Sequence, residues 1–194
     1  MVLRRADKYG NDSDTVDGYV RRITEFLAEE CTQYTDLPLG GCLVPSLFCW
    51  VMHDRFGQVT GASPDGRMAG FPLGDGSGPA QGRESHGPTA SILSSTKWDH
   101  TPFIGGVAVN VKFAKRFFNA GSLEKVIAMV HTYLDRGGFE LQINCVDAET
   151  LRRARVHPEE YEDLIVRVGG YSDYFVRLSP TMQAEVMERT EHSI

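Results

Sequence analysis

The alternation of strand and helix patterns between residues 107 and 168 constrains the fold of this chain more than any other feature. Two segments place apolar residues at every second position, as half-buried strands do: Val107, Val109, Val111 and Phe113, then Phe139, Leu141, Ile143 and Cys145. A helix pattern separates them, and the segment 164–168, apolar except at Arg167, predicts a third, short strand. Strands that alternate with helices indicate an α/β fold.

Four segments carry helix signals. The predicted spans are 15–34 after a cap at Asp14, 122–136 after a cap at Ser122, 147–157, and a last helix that opens with Ser179-Pro180. Serine as N-cap with proline at the first helical position is a specific start signal. Residues at helical spacing predict the buried sides: Val16, Val20, Ile23 and Leu27; Leu123, Val126, Val130 and Leu134; Leu151 and Ala154; Met182 and Val186.

Residues 54–88 hold nine glycines and four prolines. A stretch this long without regular structure is uncommon as a free surface loop. No Gly-Lys-Ser/Thr follows it, and no Gly-x-Gly-x-x-Gly follows a strand, so neither phosphate-binding motif is met. We therefore expect a packed, irregular segment, in which Asp65 and Arg67 hold turns through hydrogen bonds to the backbone.

Composition excludes several classes of function. The chain has 194 residues, 41% of them hydrophobic, and a net charge of −6, which suits one acidic globular domain. There is no basic surplus for nucleic acid, no apolar run at the start of the chain typical of a signal peptide and no stretch that predicts a membrane span. Its four cysteines lack Cys-x-x-Cys spacing and its six histidines lack metal-ligand spacing, so we expect a cytoplasmic protein without a metal site.

The run Arg167–Phe175 contains two consecutive glycines, Gly169 and Gly170. By themselves these would indicate a strand that ends in a turn. The nine-residue context, however, resembles the radical-bearing loop of glycyl radical enzymes, the pyruvate formate-lyase-like superfamily, in which Arg-Val and a small residue precede Gly-Tyr. The resemblance is greater to the lyase, dehydratase and decarboxylase branch than to pyruvate formate-lyase itself.

Further blocks that resemble this family occur in the family's order along nearly the whole chain. They are Lys8–Asp12, Gly61–Arg67, Pro72–Gly76, Gly87–Ala90, Leu141–Asn144, His157–Tyr161 and Arg189–His192. What matches is only the C-terminal part of family members, which are several times longer.

The resemblance implies that Gly170 stores an unpaired electron on its Cα. A glycine Cα can flatten, because it carries no side chain, and the adjacent amide groups share the spin. Arg167, Val168, Gly169, Tyr171, Ser172 and Phe175 would support the loop: Arg167 as an anchor through carboxylate or carbonyl contacts, and Tyr171 and Phe175 by packing against it. Gly169 stands where the family more often has Ser or Ala.

The resemblance also implies the fold: the C-terminal portion of a ten-stranded α/β barrel, incomplete here and completed by a partner chain. Residues 1–194 would form a single glycine-radical module. Its predicted parts are a helical entry segment (1–53), a Gly/Pro-rich barrel-lining segment (54–100), strand–helix segments (101–163), the radical loop (164–178) and a C-terminal helix (179–194). We expect exposed sheet edges unless a partner covers them.

The partners implied are a large chain that carries the family's catalytic cysteine loop, an activating enzyme with S-adenosylmethionine and an iron–sulfur cluster, and a small-molecule substrate. No cofactor need be bound by this chain. Gly41-Cys42-Leu43-Val44-Pro45 superficially resembles the cysteine loop, Gly-Cys-x-x-Pro. Cys42, however, falls where the family shows a non-catalytic segment, and free cysteine is commonly a small buried apolar residue; Cys31, Cys49 and Cys145 are weaker candidates.

Two functions follow. The first is the radical-bearing subunit or domain of an oxygen-sensitive lyase of anaerobic metabolism, inactive alone, either a natural split subunit or a fragment. The second is a non-catalytic spare part that docks onto an oxygen-damaged enzyme and restores it. Because the resemblance reaches far upstream of the radical loop, it favours the first.

Overall fold

The computed structural model describes residues 5–113, 120–168, 171–188 and 191–192. The chain alternates helices with short strands, in keeping with the predicted α/β class. The helices are α1 (Asp14–Thr32), α2 (Met52–Gln58), α3 (Pro88–Ser95), α4 (Ala120–Asp135), α5 (Ala148–Val156) and α6 (Pro180–Glu188). The strands are β1 (Ala108–Phe113), β2 (Glu140–Cys145), β3 (Ile165–Arg167), β4 (Ser172–Tyr174) and β5 (Glu191–His192). Two 3₁₀ turns, Pro158–Glu160 and Phe175–Arg177, flank the hairpin that β3 and β4 form.

The main sheet is parallel and has the order β2-β1-β5. Its central strand β1 is buried on both faces, as strands of parallel sheets are. Helix α4 connects β1 to β2, which pair in register from Ala108 with Glu140 to Phe113 with Cys145. The two predicted strands and the helix between them are confirmed.

One core lies where α3 and α4 pack on this sheet. Its buried members are Ile92, Val109, Val111, Phe113, Val126, Met129 and Tyr133. The predicted inner face of α4 is therefore right at Val126 but wrong at Leu123 and Leu134, which are exposed. Met129 and Tyr133 take their place, because the helix is rotated so that the Tyr133 ring reaches the backbone at Glu140, where its hydroxyl donates to the carbonyl over 3.2 Å.

A second core surrounds the β3–β4 hairpin. It contains Leu151, Ala154, Val166, Val168, Phe175, Met182 and Val186. The inner faces predicted for α5 and α6 are confirmed. The predicted cap is confirmed as well, because the Ser179 hydroxyl accepts a hydrogen bond from the Met182 N–H over 3.2 Å.

Helix α1 departs from its predicted orientation. Its buried residues are Asp17, Thr24 and Ala28, while Ile23 is 59% exposed and Leu27 is 38% exposed. The prediction is right at Val20, which packs against a small core of Ala28, Trp98, Phe103 and Val107. Asp17 also turns inward, where its carboxylate accepts hydrogen bonds from Ser94 and Lys97. An apolar stripe on the open side of a helix indicates a surface that something else covers.

The glycine-rich segment is packed and irregular, as predicted: residues 59–87 form neither helix nor strand. The guanidinium of Arg67 donates to the carbonyls of Gly61, Met68 (3.1 Å) and Phe71 (2.6 Å). The Asp65 carboxylate accepts hydrogen bonds from the Ser63 side chain and from nearby backbone groups. These hydrogen bonds, that from Ser63 first, hold the pKa of Asp65 below its usual value. The predicted turn-holding role of Asp65 and Arg67 is confirmed. None of the helices within the described ranges combines the length and apolar character that a membrane crossing needs.

Candidate functional site at the Gly170 hairpin

The segment predicted as the radical loop, residues 164–178, contains the β3–β4 hairpin. Ile165 pairs with Tyr174, Val166 with Asp173 and Arg167 with Ser172 in an antiparallel ladder. Beyond the ladder the Val168 N–H donates to the Tyr171 carbonyl over 2.9 Å. Gly169 and Gly170 connect these two residues and lie outside the described residues. The hairpin is short, so its position depends on contacts made by its flanks.

Asn144, on β2, fastens one flank of the hairpin. Its side-chain Nδ2 donates to the Arg167 carbonyl over 2.6 Å, and its Oδ1 accepts from the Arg167 N–H over 2.8 Å. This buried amide therefore links the open edge of the main sheet to the strand that leads into the glycines.

The side chain of Arg167 stays within the same region. Its Nη1 lies 3.4 Å from the Ser172 hydroxyl, and its Nη2 lies 3.9 Å from a carboxylate oxygen of Glu140. The contact with a carboxylate agrees with the predicted anchoring role. Because both partners of the ion pair are about one-third exposed, the pair contributes orientation more than stability.

Buried apolar side chains hold the hairpin from below. Val168 and Phe175 are fully buried in the second core, and the Phe175 N–H donates to the Leu164 carbonyl over 2.8 Å. Phe175 therefore packs against the base of the hairpin. Ser172 is exposed; it pairs with Arg167 in the ladder, and its hydroxyl lies beside the Arg167 guanidinium.

Tyr171, the residue after Gly170, faces Trp50. The two ring centroids are 6.4 Å apart with planes inclined at 53°. Burial, and then the nearby charge of Asp173, raises the pKa of Tyr171. Trp50 has a φ of 50°, which is uncommon for a bulky residue, and such strained positions cluster at functional sites.

The described cysteines do not share one environment. Cys42 is exposed, so the interpretation as a small buried residue is wrong at this position, and Cys145 is also exposed. Cys49 is half-buried and lies 3.5 Å from Nδ1 of His53. The sequence analysis did not predict a contact between Cys49 and His53. Their spacing of four residues could have indicated it, because side chains four apart lie on one side of a helical turn.

Asn110, Gln142 and Asn144 are the amide side chains of β1 and β2. Asn144 bonds the backbone of Arg167. Asn110 donates to a carboxylate oxygen of Asp75 over 2.7 Å, and Gln142 donates to a carboxylate oxygen of Glu140 over 2.8 Å. An ionised carboxylate is a stronger acceptor than a carbonyl.

His86 and His157 both lie on the surface. His86 is exposed, with Nδ1 3.1 Å from the Asn11 carbonyl, as a plain hydrogen-bonded histidine. His157 lies with Glu159 and Glu160 on the surface, where their ligand atoms are within 4.8 Å of one another. All three are exposed, and exposed acidic groups are common without an ion.

The family model described as "Glycine radical" matches residues 73–176, which include the whole hairpin. A probable dehydratase named YbiW from Escherichia coli is 38% identical over 200 residues, covering 100% of this chain and 25% of that protein. Trans-4-hydroxy-L-proline dehydratase from Clostridioides difficile is 36% identical, covering 100% of this chain and 24% of that protein.

Among solved structures, the glycerol-bound form of the B12-independent glycerol dehydratase from Clostridium butyricum superposes with a TM-score of 0.94 at 39% identity. The superposition covers 100% of this chain and 25% of that chain. The chain thus spans about a quarter of the length of the curated relatives it matches. The matched segment and these relatives show that the chain belongs to the glycine radical family.

Proposed function

We propose that this chain is the radical-bearing part of a glycyl radical lyase or dehydratase, in which Gly170 stores the radical. The observation that carries the proposal is the position of Gly170 inside the matched segment, at the turn of a hairpin whose flanks are each held by a specific contact. Arg167 is held by Asn144, and Tyr171 faces Trp50.

A radical store must be both fixed and releasable. Val168 and Phe175 fix the base of the hairpin in the core. The contacts that the described flanks make include the Asn144 amide, the Arg167 side chain and the ring pair of Tyr171 with Trp50. In this proposal an activating enzyme that removes a hydrogen atom from Gly170 breaks such contacts locally, without unfolding the core. In this proposal that enzyme uses S-adenosylmethionine and an iron–sulfur cluster.

The radical would next pass to a cysteine on a separate, larger chain. Support comes from the chain's coverage of a quarter of its relatives, and from the apolar residues that α1 leaves uncovered. Tyr19, Ile23 and Phe26 are each more than half exposed. A second surface that buries them would complete the barrel and shield the radical from solvent and oxygen.

The substrate would be a small molecule that carries a leaving group beside an abstractable hydrogen. The relatives' names include dehydratases and an isethionate sulfite-lyase from Bilophila wadsworthia that is 35% identical. Loss of a leaving group is the feature common to these activities. The residues that select the substrate would lie on the larger chain.

Electron paramagnetic resonance under anaerobic conditions tests the proposal. The chain would be incubated with the larger chain, the activating enzyme, S-adenosylmethionine and a reductant. We expect a doublet signal from one Cα hydrogen, and cleavage of the chain at Gly170 after exposure to air, detected by mass spectrometry.

Two neighbouring glycines provide a matched pair of variants. Gly170→Ala should abolish the doublet, while Gly169→Ala should keep it, because the storage role belongs to one position only. An undiminished signal in Gly170→Ala, or no signal in the unmodified chain with a proven activating enzyme and partner present, would overturn the proposal.

A further inference from the structure

Three polar side chains meet near the start of α2, outside the hairpin. The Cys49 sulfur lies 3.5 Å from Nδ1 of His53, and Nε2 of His53 lies 4.0 Å from Oε2 of Glu185. Cys49 and His53 flank the start of α2, whereas Glu185 comes from α6, far along the chain. The order is thiol, imidazole, carboxylate, which is the order that activates a cysteine nucleophile in other folds.

The imidazole and the carboxylate are deeply buried. His53 is 2% exposed and Glu185 is 0% exposed. The second oxygen of Glu185 accepts a hydrogen bond from Gln81 over 2.8 Å, which fixes the carboxylate in place. Nε2 of His53 is buried and makes no hydrogen bond, although it faces Glu185. A buried ring nitrogen aimed at a carboxylate at this distance is best compensated as the cation of an ion pair.

Electrostatics agrees with this geometry. Burial opposes ionisation of Cys49, but the contact with His53 and a hydrogen bond with the Gly76 backbone outweigh it, so the pKa of Cys49 is lowered. Burial likewise opposes the charge on His53, but Cys49 and then Glu185 raise the pKa of His53 to about 10. The other charged group that faces His53 is Asp75, from the glycine-rich segment, and it acts in the same direction.

We propose that Cys49, His53 and Glu185 form a reactive-thiolate site that is modified by small uncharged electrophiles, of which hydroperoxides are the class it fits. The thiolate sulfur attacks one oxygen of the hydroperoxide; an S–O bond forms while the O–O bond breaks. Sulfur is oxidised by two electrons to the sulfenic acid, and the peroxide is reduced. The departing oxygen takes the proton from His53 and leaves as water or an alcohol.

The size and charge of the electrophile follow from the surroundings. Cys49 is half-buried beside the backbone of Gly76, which admits a small molecule more readily than a protein. Asp75 lies close enough to disfavour negative charge at the sulfur, and it would repel an anionic reagent in the same way. The site does not depend on radical storage, because Gly170 takes no part in it.

Iodoacetamide tests whether Cys49 is a thiolate. The full 194-residue chain would be alkylated at pH 6.5 and 8.5, and the rate at each cysteine read by peptide mass spectrometry. An ordinary thiol with a pKa of about 8.5 loses thiolate about 50-fold over this range. We expect a loss below about fivefold at Cys49. A loss of about 50-fold at Cys49 would overturn the proposal.

Variants test whether His53 and Glu185, and not burial of the sulfur alone, determine the reactivity of Cys49. His53→Gln should give Cys49 the pH dependence of an ordinary thiol, and Glu185→Gln, which can keep the contact with Gln81, should give an intermediate profile. Circular dichroism checks that each variant is folded; the alkylation of Cys49 in the unmodified chain tests the proposal without either variant. A folded His53→Gln variant whose Cys49 profile is unchanged would contradict the role of the imidazole.

The electrophile class has its own test. Hydrogen peroxide followed by dimedone should label Cys49 ahead of the more exposed Cys42. The ratio of iodoacetamide to iodoacetate rates should be at least about threefold larger at Cys49 than at Cys42, owing to the carboxylates nearby. Labelling of Cys42 first, or equal ratios at both cysteines, would overturn the assignment to uncharged hydroperoxides.

Discussion

The side-chain amide of Asn144 makes with Arg167 both hydrogen bonds that a neighbouring strand would make: Nδ2 donates to the carbonyl over 2.6 Å and Oδ1 accepts from the N–H over 2.8 Å. One side chain thereby extends the parallel sheet to the hairpin that holds the glycines. Since the amide is buried, each of its two bonds lacks competition from water.

Replacing Asn144 should loosen the hairpin more than the sheet. Asn144→Ala removes two buried hydrogen bonds to the Arg167 backbone, so we expect a loss of about 1–3 kcal/mol in the free energy of unfolding. Hydrogen–deuterium exchange at the Arg167 amide should accelerate, while exchange within β1 stays slow.

Asn144→Asp is the graded control. It keeps an acceptor for the Arg167 N–H but places a carboxylate oxygen against the Arg167 carbonyl. Exchange at the Arg167 amide should therefore be faster than in the unmodified chain at neutral pH, and this difference should diminish on acidification. Unchanged Arg167 exchange in Asn144→Ala would show that the hairpin is held by its apolar base alone.

Two glycines on helices should respond to alanine with opposite signs. A Cβ on Gly57 would overlap the Phe71 carbonyl and lie 2.7 Å from Cα of Pro72, whereas a Cβ on Gly18 would meet nothing within 4 Å. Gly57→Ala should therefore cost about 1–3 kcal/mol by forcing α2 away from the glycine-rich segment. Gly18→Ala should add about 0.5–1 kcal/mol, since glycine is unfavourable within a helix. Urea unfolding measures both; a stabilising Gly57→Ala would mean that the segment yields freely.

Lys97 should be coupled energetically to Asp17. Its ammonium lies 2.9 Å from the buried Asp17 and also contacts Asp12 and Asp14, over 2.6 and 2.8 Å. Lys97→Ala would leave the Asp17 carboxylate buried beside only the Ser94 hydroxyl, at a cost of about 2–4 kcal/mol.

A double-mutant cycle isolates this coupling. Asp17→Asn alone should cost less than Lys97→Ala, because Lys97 retains two other carboxylates, and Asp17→Asn should recover much of the stability lost in Lys97→Ala. Strictly additive free energies of unfolding would mean that the two side chains do not interact.

The contact between Lys97 and Asp17 also shows why the buried face of a helix is predicted from its sequence in some cases and not in others. For α5 and α6 the apolar stripe predicted the buried face, because each helix packs on a core within this chain. For α1 it did so at Val20 but not at Ile23, which is exposed, because Asp17 turns inward to bond Lys97 and Ser94. The hairpin was predicted from a local run of residues. The contacts of Asn144 with Arg167 and of His53 with Glu185 join distant positions, so no local pattern reveals them.

His100 should make stability fall in mild acid. Its Nε2 donates to the Ser95 carbonyl over 2.7 Å, and its Nδ1 accepts from the Phe139 N–H over 3.2 Å, so the folded geometry requires the neutral ring. Burial lowers the pKa of His100 below its ordinary value of 6.5, against weaker opposing effects of Ser95 and Asp99. Below pH 6.5 the unfolded chain therefore binds a proton that the folded chain does not.

The free energy of unfolding should decrease as the pH falls from 6.5 to 5, with a slope from this group of at most about 1.4 kcal/mol per pH unit. The raised pKa of His53 acts elsewhere: its contribution is complete below 6.5 and is lost only as the pH rises toward 10. His100→Gln keeps a donor for the Ser95 carbonyl and cannot titrate, so it should flatten the slope between pH 5 and 6.5 while lowering stability at pH 7. Urea unfolding at several pH values measures the slope in both proteins, and the same slope in each would show that another group titrates in this range.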